Sequence, residues 1–458
     1  MYKKRVLPIL TLLIFIIGIG GGLRAEEVEK GKTLSLEKAI QIALESSPRV
    51  KQSANQVEIS SITVKQKKAN FLPELNASTG TSERLGKSFD AQTGITSNTA
   101  SNSVSFNAST SVNLFNGFSD KASLEQARLD LKSSSADFDR MRQTIIYETI
   151  QRYIQAVTSR DAIGVEKENL EAQKLLLTRI EDYNKAGKRP ITDVYQQKAQ
   201  VSNAEYQFLN AQRNYEVNKL LLMQTMGVQP ESEFEVVDPG IENLLIKLKD
   251  SRDEEALKKA LTNRPDLLSQ EYSIDAAYNG ITIARAGYYP KLSFSASFGT
   301  SYSSQTRKIL NFGDQFFKKN INGSFGLSLS IPVFDKFRTK YSVATAQVSL
   351  KNQQIELDRL KQQVGLEVQQ AIRDYDTAAK QLEVSDDQLR YSKDALDSTQ
   401  ERYEVSASTL IELTQARAQY IQALYNRLQA RLNLLVRGIA VSYYKGDENA
   451  MISLVNSK

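Results

Sequence analysis

The sequence predicts an internally duplicated, mixed α and β membrane protein. Four strands per chain contribute to a β-barrel shared between chains, and the long helices, which carry coiled-coil-like apolar stripes, need parallel neighbours along their whole length. Three observations predict this class. Two pairs of strands with few charged residues alternate apolar and small polar residues, a very long helical run follows each pair, and the whole pattern occurs twice.

The chain opens with the pattern of a secretory signal. A basic start at Lys3, Lys4 and Arg5 precedes an apolar stretch over 6–23, and the small residue Ala25 follows shortly after it. We therefore predict a cleaved signal peptide at 1–25 and export from the cytoplasm. Because the apolar run is long for a signal, an N-terminal membrane anchor is the alternative.

Composition excludes several classes of protein. The 458 residues include no Cys and no His, which removes thiolate nucleophiles, the most common general base and the most common metal ligand. We expect no enzyme, no cofactor and no metal site. The formal charge of +6 falls to +2 without the four basic residues of the signal, so nucleic acid is not an expected partner.

Four pairs of segments reveal the duplication. They are ALESSPRV (43–50) with ALTNRPDL (260–267), KKANFLPELNAS (67–78) with IARAGYYPKLSFS (283–295), LFNGF (114–118) with VFDKF (333–337), and TDVYQQKAQ (192–200) with IELTQARAQ (411–419). The step between partners stays at 217 to 219 residues. It predicts a first repeat at 26–227, a linker at 228–252, a second repeat at 253–443 and a tail at 444–458.

Each repeat is predicted to contain the same elements in the same order. An opening helix, over 36–70 and 253–287, ends before Pro73 or Pro290, because the residue before a proline is pushed out of the helical region. Barrel strands follow, at about 73–84, 103–116, 290–303 and 323–334, with polar loops at about 83–102 and 303–323. Helices over about 120–184 and 336–404, each near 100 Å long, then turn into a returning helix.

The strand pattern predicts a membrane barrel. In SVSFNASTSVNLFNGF (103–118) an apolar set alternates with Ser and Asn, and we expect that set to face lipid while the polar residues face water. The set is Val104, Phe106, Ala108, Val112 and Leu114. Four strands cannot close alone, and open edges in lipid cost several kcal/mol for each unpaired group. Two chains would give eight strands with a filled interior, whereas three would give twelve strands and a lumen.

The duplicated pattern, the helix-ending prolines, the LFNGF and VFDKF segments and the paired ITDV and IELTQA turns resemble the TolC family of bacterial outer-membrane efflux proteins. The resemblance covers about 34–443. It implies a homotrimer with a 12-stranded barrel in outer-membrane lipid and a helical tunnel through the periplasm. It also implies passive export, by efflux or type I secretion, from an inner-membrane pump and a periplasmic adaptor.

The resemblance implies a periplasmic gate near the two helical turns. Its residues match Thr192, Asp193 and Tyr403, with the Tyr hydroxyl expected to donate to the Asp carboxylate. The family's arginine in this network falls at Ser408, so one link is missing. The simpler alternative for Asp193 is a solvated helix start.

Two further sets of residues follow from the resemblance. A pore constriction matches Glu412 and Gln415, of which only Glu412 keeps a charge; a solvated helix face is the alternative for it. Such a ring would favour cations and could bind a divalent metal weakly. The expected adaptor-docking residues are Ala186, Gly187, Lys188, Val405, Ser406 and Ala407. Ser406 replaces the usual second glycine.

The strongest rival function is a periplasmic adaptor with a helical hairpin. Such a protein would share the long helices, but it does not predict two copies of an uncharged strand pair. The transported substrate does not follow from the sequence.

Overall fold

The computed structural model describes residues 32–90, 94–230, 234–240, 255–305 and 310–455. The predicted signal peptide at 1–25 lies outside these residues. Within them, no helix combines the length and the apolar character needed to cross a membrane.

Nine helices of eight or more residues are found in the described ranges. They are α1 (Leu36–Ser46), α2 (Pro48–Ala69), α3 (Ser119–Lys185), α4 (Ile191–Met226), α5 (Ala256–Asn263), α6 (Pro265–Arg285), α7 (Arg338–Glu404), α8 (Leu410–Tyr444) and α9 (Glu448–Val455). The helices α3 and α7 have 67 residues each, which gives each a length of about 100 Å. Both are unbroken, as the helical periodicity predicts.

The opening helix of each repeat is divided, where the sequence predicted one continuous helix. The first divides at Ser47, before Pro48, and the second at Arg264, before Pro265. Both residues before the prolines adopt extended backbone angles, with ψ of 126° and 122°. The proline excludes the helical conformation from its preceding residue and then starts the next helix at the first position, where it loses no hydrogen bond.

Six strands form two sheets within the described residues. The strands are β1 (Lys32–Leu34), β2 (Glu74–Asp90), β3 (Ile95–Asn116), β4 (Phe234–Val236), β5 (Lys291–Ser303) and β6 (Asn322–Ser330). A small parallel pair joins β1 to β4, and an antiparallel sheet has the order β2-β3-β5-β6. The strands β2 and β6 are therefore the two edges of the larger sheet.

The register of the larger sheet separates its two faces by chemistry. One row across the four strands is mainly apolar and the next is polar. These rows are Leu75, Thr110, Ala296 and Phe325, and then Asn76, Ser109, Ser297 and Ser324. The apolar face is open: Leu75 is 79% exposed and Phe325 is 84% exposed. At these two positions no other described residue covers the face.

Three details of the strands differ from the sequence prediction. The polar stretch predicted as a loop at 83–102 instead extends β2 and β3 as a hairpin to Asp90 and Ile95, because backbone pairing continues there although most of the side chains are polar. The last strand ends at Ser330 rather than near 334, just before Pro332, which has no N–H to donate. A bulge between Asn113 and Phe115 puts Phe115, not Leu114, opposite Leu292.

The helices form a wall with two free edges. In the half next to the sheet, α3 packs between α2 and α6, and α7 packs on α6; in the distal half, α3 packs between α4 and α8, and α7 packs on α8. The order is therefore α2-α3-α6-α7 near the sheet and α4-α3-α8-α7 beyond it. The helix α7 is one edge throughout, and α2 or α4 is the other.

A buried ion network joins four of these helices near the middle of the wall. The Arg264 side chain, 3% exposed, donates to Asp266 Oδ2 and to Glu367 Oε2, each at 2.5 Å. Arg140 Nε lies 3.8 Å from the same Asp266 oxygen, and its guanidinium stacks on the Tyr443 ring at 4.2 Å. Glu367 on α7 thereby has a buried basic partner.

We expect Arg264→Ala to lower the free energy of unfolding by about 3 kcal/mol, because it leaves two partly buried carboxylates without their partner. Arg359→Ala is the control on α7: its pair with Glu356 is a surface pair, so the loss should be much smaller. Denaturant titration of the detergent-solubilised protein, followed by circular dichroism, measures both. Equal losses would contradict the assignment.

The same network predicts a pH dependence. Burial alone would raise the pKa of Asp266, but the hydrogen bond and charge of Arg264 outweigh it and hold that pKa below its usual range. A depressed pKa in the folded state stabilises the protein above the unfolded pKa, about 3.9 for Asp, and this contribution is lost as the pH falls through the folded pKa. The advantage of the wild type over Arg264→Ala should therefore shrink below about pH 4.

Candidate functional site

The two helical tips have the same construction. The turn between α3 and α4 covers 186–190 and the turn between α7 and α8 covers 405–409, each with one residue of positive φ. These residues are Gly187, with φ of 73°, and Ser406, with φ of 61°. Ser406 thus holds the left-handed conformation that glycine adopts more readily, at a cost of about 1 kcal/mol. The Val405 side chain beside it is 75% exposed.

A small apolar core joins the two tips. Its buried members are Ile180, Val194, Leu396, Tyr403, Leu410, Leu413 and Ala416. They come from α3, α4, α7 and α8, so both helical hairpins contribute. Tyr403 is only 5% exposed. The tips are therefore held as one unit in this structure.

An arginine connects the predicted gate residues. Arg189 Nη1 lies 3.9 Å from Asp193 Oδ2, one helical turn away, and the Arg189 guanidinium stacks on the Tyr403 ring at 4.6 Å. Thr192 lies exposed beside Asp193. The structure thus brings Asp193 and Tyr403 together, but through Arg189, which the sequence analysis did not select.

The expected hydrogen bond from Tyr403 to Asp193 is wrong. The Tyr403 hydroxyl is buried and has no hydrogen-bond partner among the described residues. Burial raises the pKa of Tyr403, Arg189 partly opposes this, and Asp193 adds to it. Arg189 contacts both the Asp193 carboxylate and the face of the Tyr403 ring. The Tyr403 hydroxyl is therefore left without a partner among the described residues.

The predicted constriction residue Glu412 also has a basic partner. Ser408 Oγ donates to Glu412 Oε2 at 2.5 Å, and Arg402 Nη2 lies 3.6 Å from the same oxygen. The Ser408 hydrogen bond and the Arg402 charge hold the pKa of Glu412 below its usual range. Gln415 lies exposed one turn further along α8. Because the positive charge of Arg402 partly neutralises the Glu412 carboxylate, this geometry does not favour a ring that strongly attracts cations.

The duplication relates the two charged pairs. The step of 219 residues between the repeats makes Arg189 the equivalent of Ser408, and Asp193 the equivalent of Glu412. Each tip carboxylate thus has a partner four residues before it: an arginine in the first repeat and a serine in the second. Arg402, from the preceding helix, supplies the missing charge in the second repeat. The repeat spacing could have identified Arg189 but not Arg402.

A polar groove of about 710 Å³ lies further along the wall, between α3, α4 and α8. Glu166, 5% exposed, accepts a hydrogen bond from the Tyr425 hydroxyl at 2.8 Å in this groove. Amide side chains form most of its remaining surface. Across the described ranges, no cluster of three or more His, Cys, Asp or Glu residues could hold a metal ion.

Comparison with known proteins gives consistent matches. The profile of the family "Outer membrane efflux protein" matches residues 39–228 and 256–444, one segment in each repeat. Protein CyaE of Bordetella pertussis is 22% identical over 97% of this chain and 96% of its own. Outer membrane protein TolC of Escherichia coli is 24% identical over 99% of this chain and 89% of its own.

The fold also has solved counterparts. The CmeC outer membrane channel of Campylobacter jejuni superposes with a TM-score of 0.75 at 16% identity, over 92% of this chain and 89% of that one. None of these matches supports the adaptor alternative. The chain belongs to the outer membrane efflux protein family.

Proposed function

We propose that three copies of this chain form one export duct, with a 12-stranded barrel in outer-membrane lipid and a helical tunnel that reaches into the periplasm. The duct passively conducts substrate that an inner-membrane pump delivers through a periplasmic adaptor, in an efflux or type I secretion system. One observation carries the proposal: the four-stranded sheet has an apolar face, a second face made mainly of Ser, Asn and Gly, and two edge strands, β2 and β6, that have no further strand partner among the described residues.

The sheet edges support closure by further copies. Every neighbouring pair in the order β2-β3-β5-β6 is antiparallel, so β6 can meet β2 of another copy and continue the same alternation. Backbone N–H and C=O groups at an unpaired strand edge would be costly in lipid, so the single chain cannot be the membrane form. Twelve strands leave a lumen, whereas eight are filled by side chains.

The helical edges support the same closure. Exposed apolar residues follow them: Ile59 and Ile62 on α2, Tyr195, Tyr206, Leu209, Val217 and Leu220 on α4, and Tyr341, Val348, Ile355, Leu366, Val384 and Tyr391 on α7. Several are spaced by seven residues, the repeat of a coiled-coil seam. In the proposed trimer, α7 of one copy lies against α2 and α4 of the next.

We assign the gate to the tips. Arg189, Asp193 and Tyr403 join the first hairpin to the second, so moving one hairpin relative to the other must break this contact. Thr192 lies beside it, and Glu412 with Gln415 would line a constriction nearby. The turn residues Ala186, Gly187, Lys188, Val405, Ser406 and Ala407 are the proposed adaptor-docking positions, where a partner could shift both hairpins together.

The relatives support an export role rather than an enzymatic one. The Pseudomonas aeruginosa relative OpmQ, 25% identical over 81% of this chain and 77% of its own, is a pyoverdine export outer membrane protein. That cargo belongs to OpmQ. For this chain we propose the duct, with its two repeats at 26–227 and 253–443 and a cleaved signal at 1–25.

Planar-bilayer recording of the purified full chain tests the proposed function. We expect discrete, ohmic conductance steps that appear only with the protein. An adaptor-like protein would bind partners and produce no steps. Absence of steps from a correctly folded, outer-membrane-extracted sample would overturn the proposal.

A further inference from the structure

A short helical segment lies beside the far end of β5, beyond the end of β6. It comprises a helical turn at Phe312–Asp314 and a single π-helical turn at Gln315–Lys319, and we call it the rim segment. The strand β6 pairs with β5 only as far as Gly299, opposite Asn322, whereas β5 continues to Ser303. The rim segment occupies the edge that β6 leaves open.

Specific hydrogen bonds fix the rim segment to this edge. The Gln315 side chain, 1% exposed, accepts from Ser303 N at 3.0 Å and donates to Ser303 O at 3.2 Å. Asn320 Nδ2 donates to Ser301 O at 2.6 Å. The Gln315 side chain thus makes the two hydrogen bonds to Ser303 that a paired strand residue would make. The rim segment is therefore attached to the edge of the sheet.

The rim segment packs on the apolar face of the sheet. Thr300 and Tyr302 lie on that face, opposite Phe106 and Val104. The Thr300 hydroxyl donates to the Phe316 carbonyl at 2.6 Å, and the Phe312 ring centroid lies 5.0 Å from that of Tyr302. Phe312 and Phe317 remain 44% and 66% exposed on the same side. Aromatic rings therefore point away from the sheet on its apolar face.

The position of the rim segment along the barrel axis matches one boundary of a bilayer. The opposite end of the sheet carries further aromatic contacts: Phe115 and Tyr289 pack on Phe118, Phe334 packs on Phe337, and Phe115 lies opposite Leu292. From Leu292 to Tyr302 the strand covers ten steps, or about 33 Å at 3.3 Å per residue. With a strand tilt of about 40° this gives a height of about 25 Å, the height of the apolar band between the aromatic girdles of membrane barrels.

Lysines end the rim segment. Lys318 pairs with Asp314 at 3.0 Å and yet its side chain is 73% exposed, and Lys319 next to it is also exposed. The two lysines and one aspartate leave a net positive charge beside the exposed aromatic rings. Aromatic rings with adjacent basic groups are typical of the region where acyl chains meet lipid headgroups.

We propose that the rim segment is a lipid-binding element in the headgroup layer of the outer leaflet, with Phe312 and Phe317 at the acyl boundary and Lys318 and Lys319 at lipid phosphates. The proposal rests on the barrel described above. The strand β6 ends before it reaches the height of the rim segment. The rim segment would therefore supply the outer aromatic girdle at that position.

The absence of Trp from the chain makes a direct depth measurement possible. Phe317→Trp in the full-length protein, reconstituted into phosphatidylcholine vesicles, provides a single emitter that lipids with a nitroxide in the headgroup or deep in the acyl chain can quench. We expect headgroup nitroxide to quench it about twofold more than acyl nitroxide. Leu327→Trp, in the middle of β6 on the apolar face, should show the reverse. Leu175→Trp, exposed on α3, should be quenched by neither.

The outcomes separate this proposal from the barrel itself. If Leu327→Trp is quenched from the lipid but Phe317→Trp by neither probe, another copy covers the rim segment and the proposal fails. Deep quenching of both variants also overturns it. If neither variant is quenched, the sheet is not in the bilayer and the proposed barrel fails first.

A second comparison tests the lysines. In the Phe317→Trp background, adding phosphatidylglycerol should increase headgroup quenching, and Lys318→Gln with Lys319→Gln should abolish that increase. Lys351→Gln, on the exposed surface of α7, should preserve it. An increase that survives loss of both rim lysines would overturn their assignment to lipid phosphates.

Discussion

We expect Arg189→Ala to raise the mean conductance of the reconstituted channel by up to about tenfold, because a loss of about 1.4 kcal/mol changes the ratio of closed to open states tenfold. Arg189 contacts both Asp193 and the Tyr403 ring, and a partly desolvated cation–π contact contributes about 1–2 kcal/mol. Removing the guanidinium should therefore release the first hairpin from the second. Single-channel recording in planar bilayers measures the effect.

Two variants serve as controls for this gate. Tyr403→Phe keeps the ring and removes a hydroxyl that bonds to nothing described, so its conductance should equal that of the wild type. Asp193→Ala should raise conductance less than Arg189→Ala, because the ring contact survives. A rise with Tyr403→Phe as large as that with Arg189→Ala would restore the direct Tyr-to-Asp link and contradict the assignment to Arg189.

We expect Val348→Asp combined with Ile355→Asp to abolish the trimer. These residues are 56% and 65% exposed on α7 and are seven residues apart, where we place the seam with the next copy. Each trimer would then bury six new carboxylates without partners, each at a cost of several kcal/mol. Loss of a heat-modifiable oligomer on semi-native gels, together with loss of conductance, measures the effect.

Ser342→Asp combined with Ser349→Asp is the matched control. It adds the same charge to the same helix at the same spacing, about 100° around the helix from the seam, and both serines are exposed. The oligomer should survive this change. If it is lost to the same extent, added charge on α7 is the cause and the seam is wrongly placed.

The main elements were predictable because their periodicity is a direct consequence of burial. Alternating apolar and Ser or Asn residues identified the strands, and the unbroken helical pattern identified α3 and α7. The divisions at Pro48 and Pro265 were missed because the apolar pattern continues across both breaks. The hairpin over 83–102 was missed because its polar composition is that of a loop, although backbone hydrogen bonding there depends on register rather than on side chains.

The resemblance places Asp193 and Tyr403 in one gate network, and in the structure both contact Arg189; the gate role stays a prediction. Arg189 was not predicted because the family's arginine matches Ser408, where this chain has none. The step of 219 residues relates these two positions, so an arginine moved from one repeat to the other could have been expected. The contact of Arg402 with Glu412 depends on how α7 ends, which no local pattern specifies.

We propose that one chain supplies a third of a barrel that it cannot close alone. Native mass spectrometry of the protein, extracted from outer membranes in a mild detergent, tests this most directly. We predict one dominant assembly with three times the mass of the mature chain. A stable monomer, or a dimer with eight strands, would contradict the shared twelve-stranded barrel.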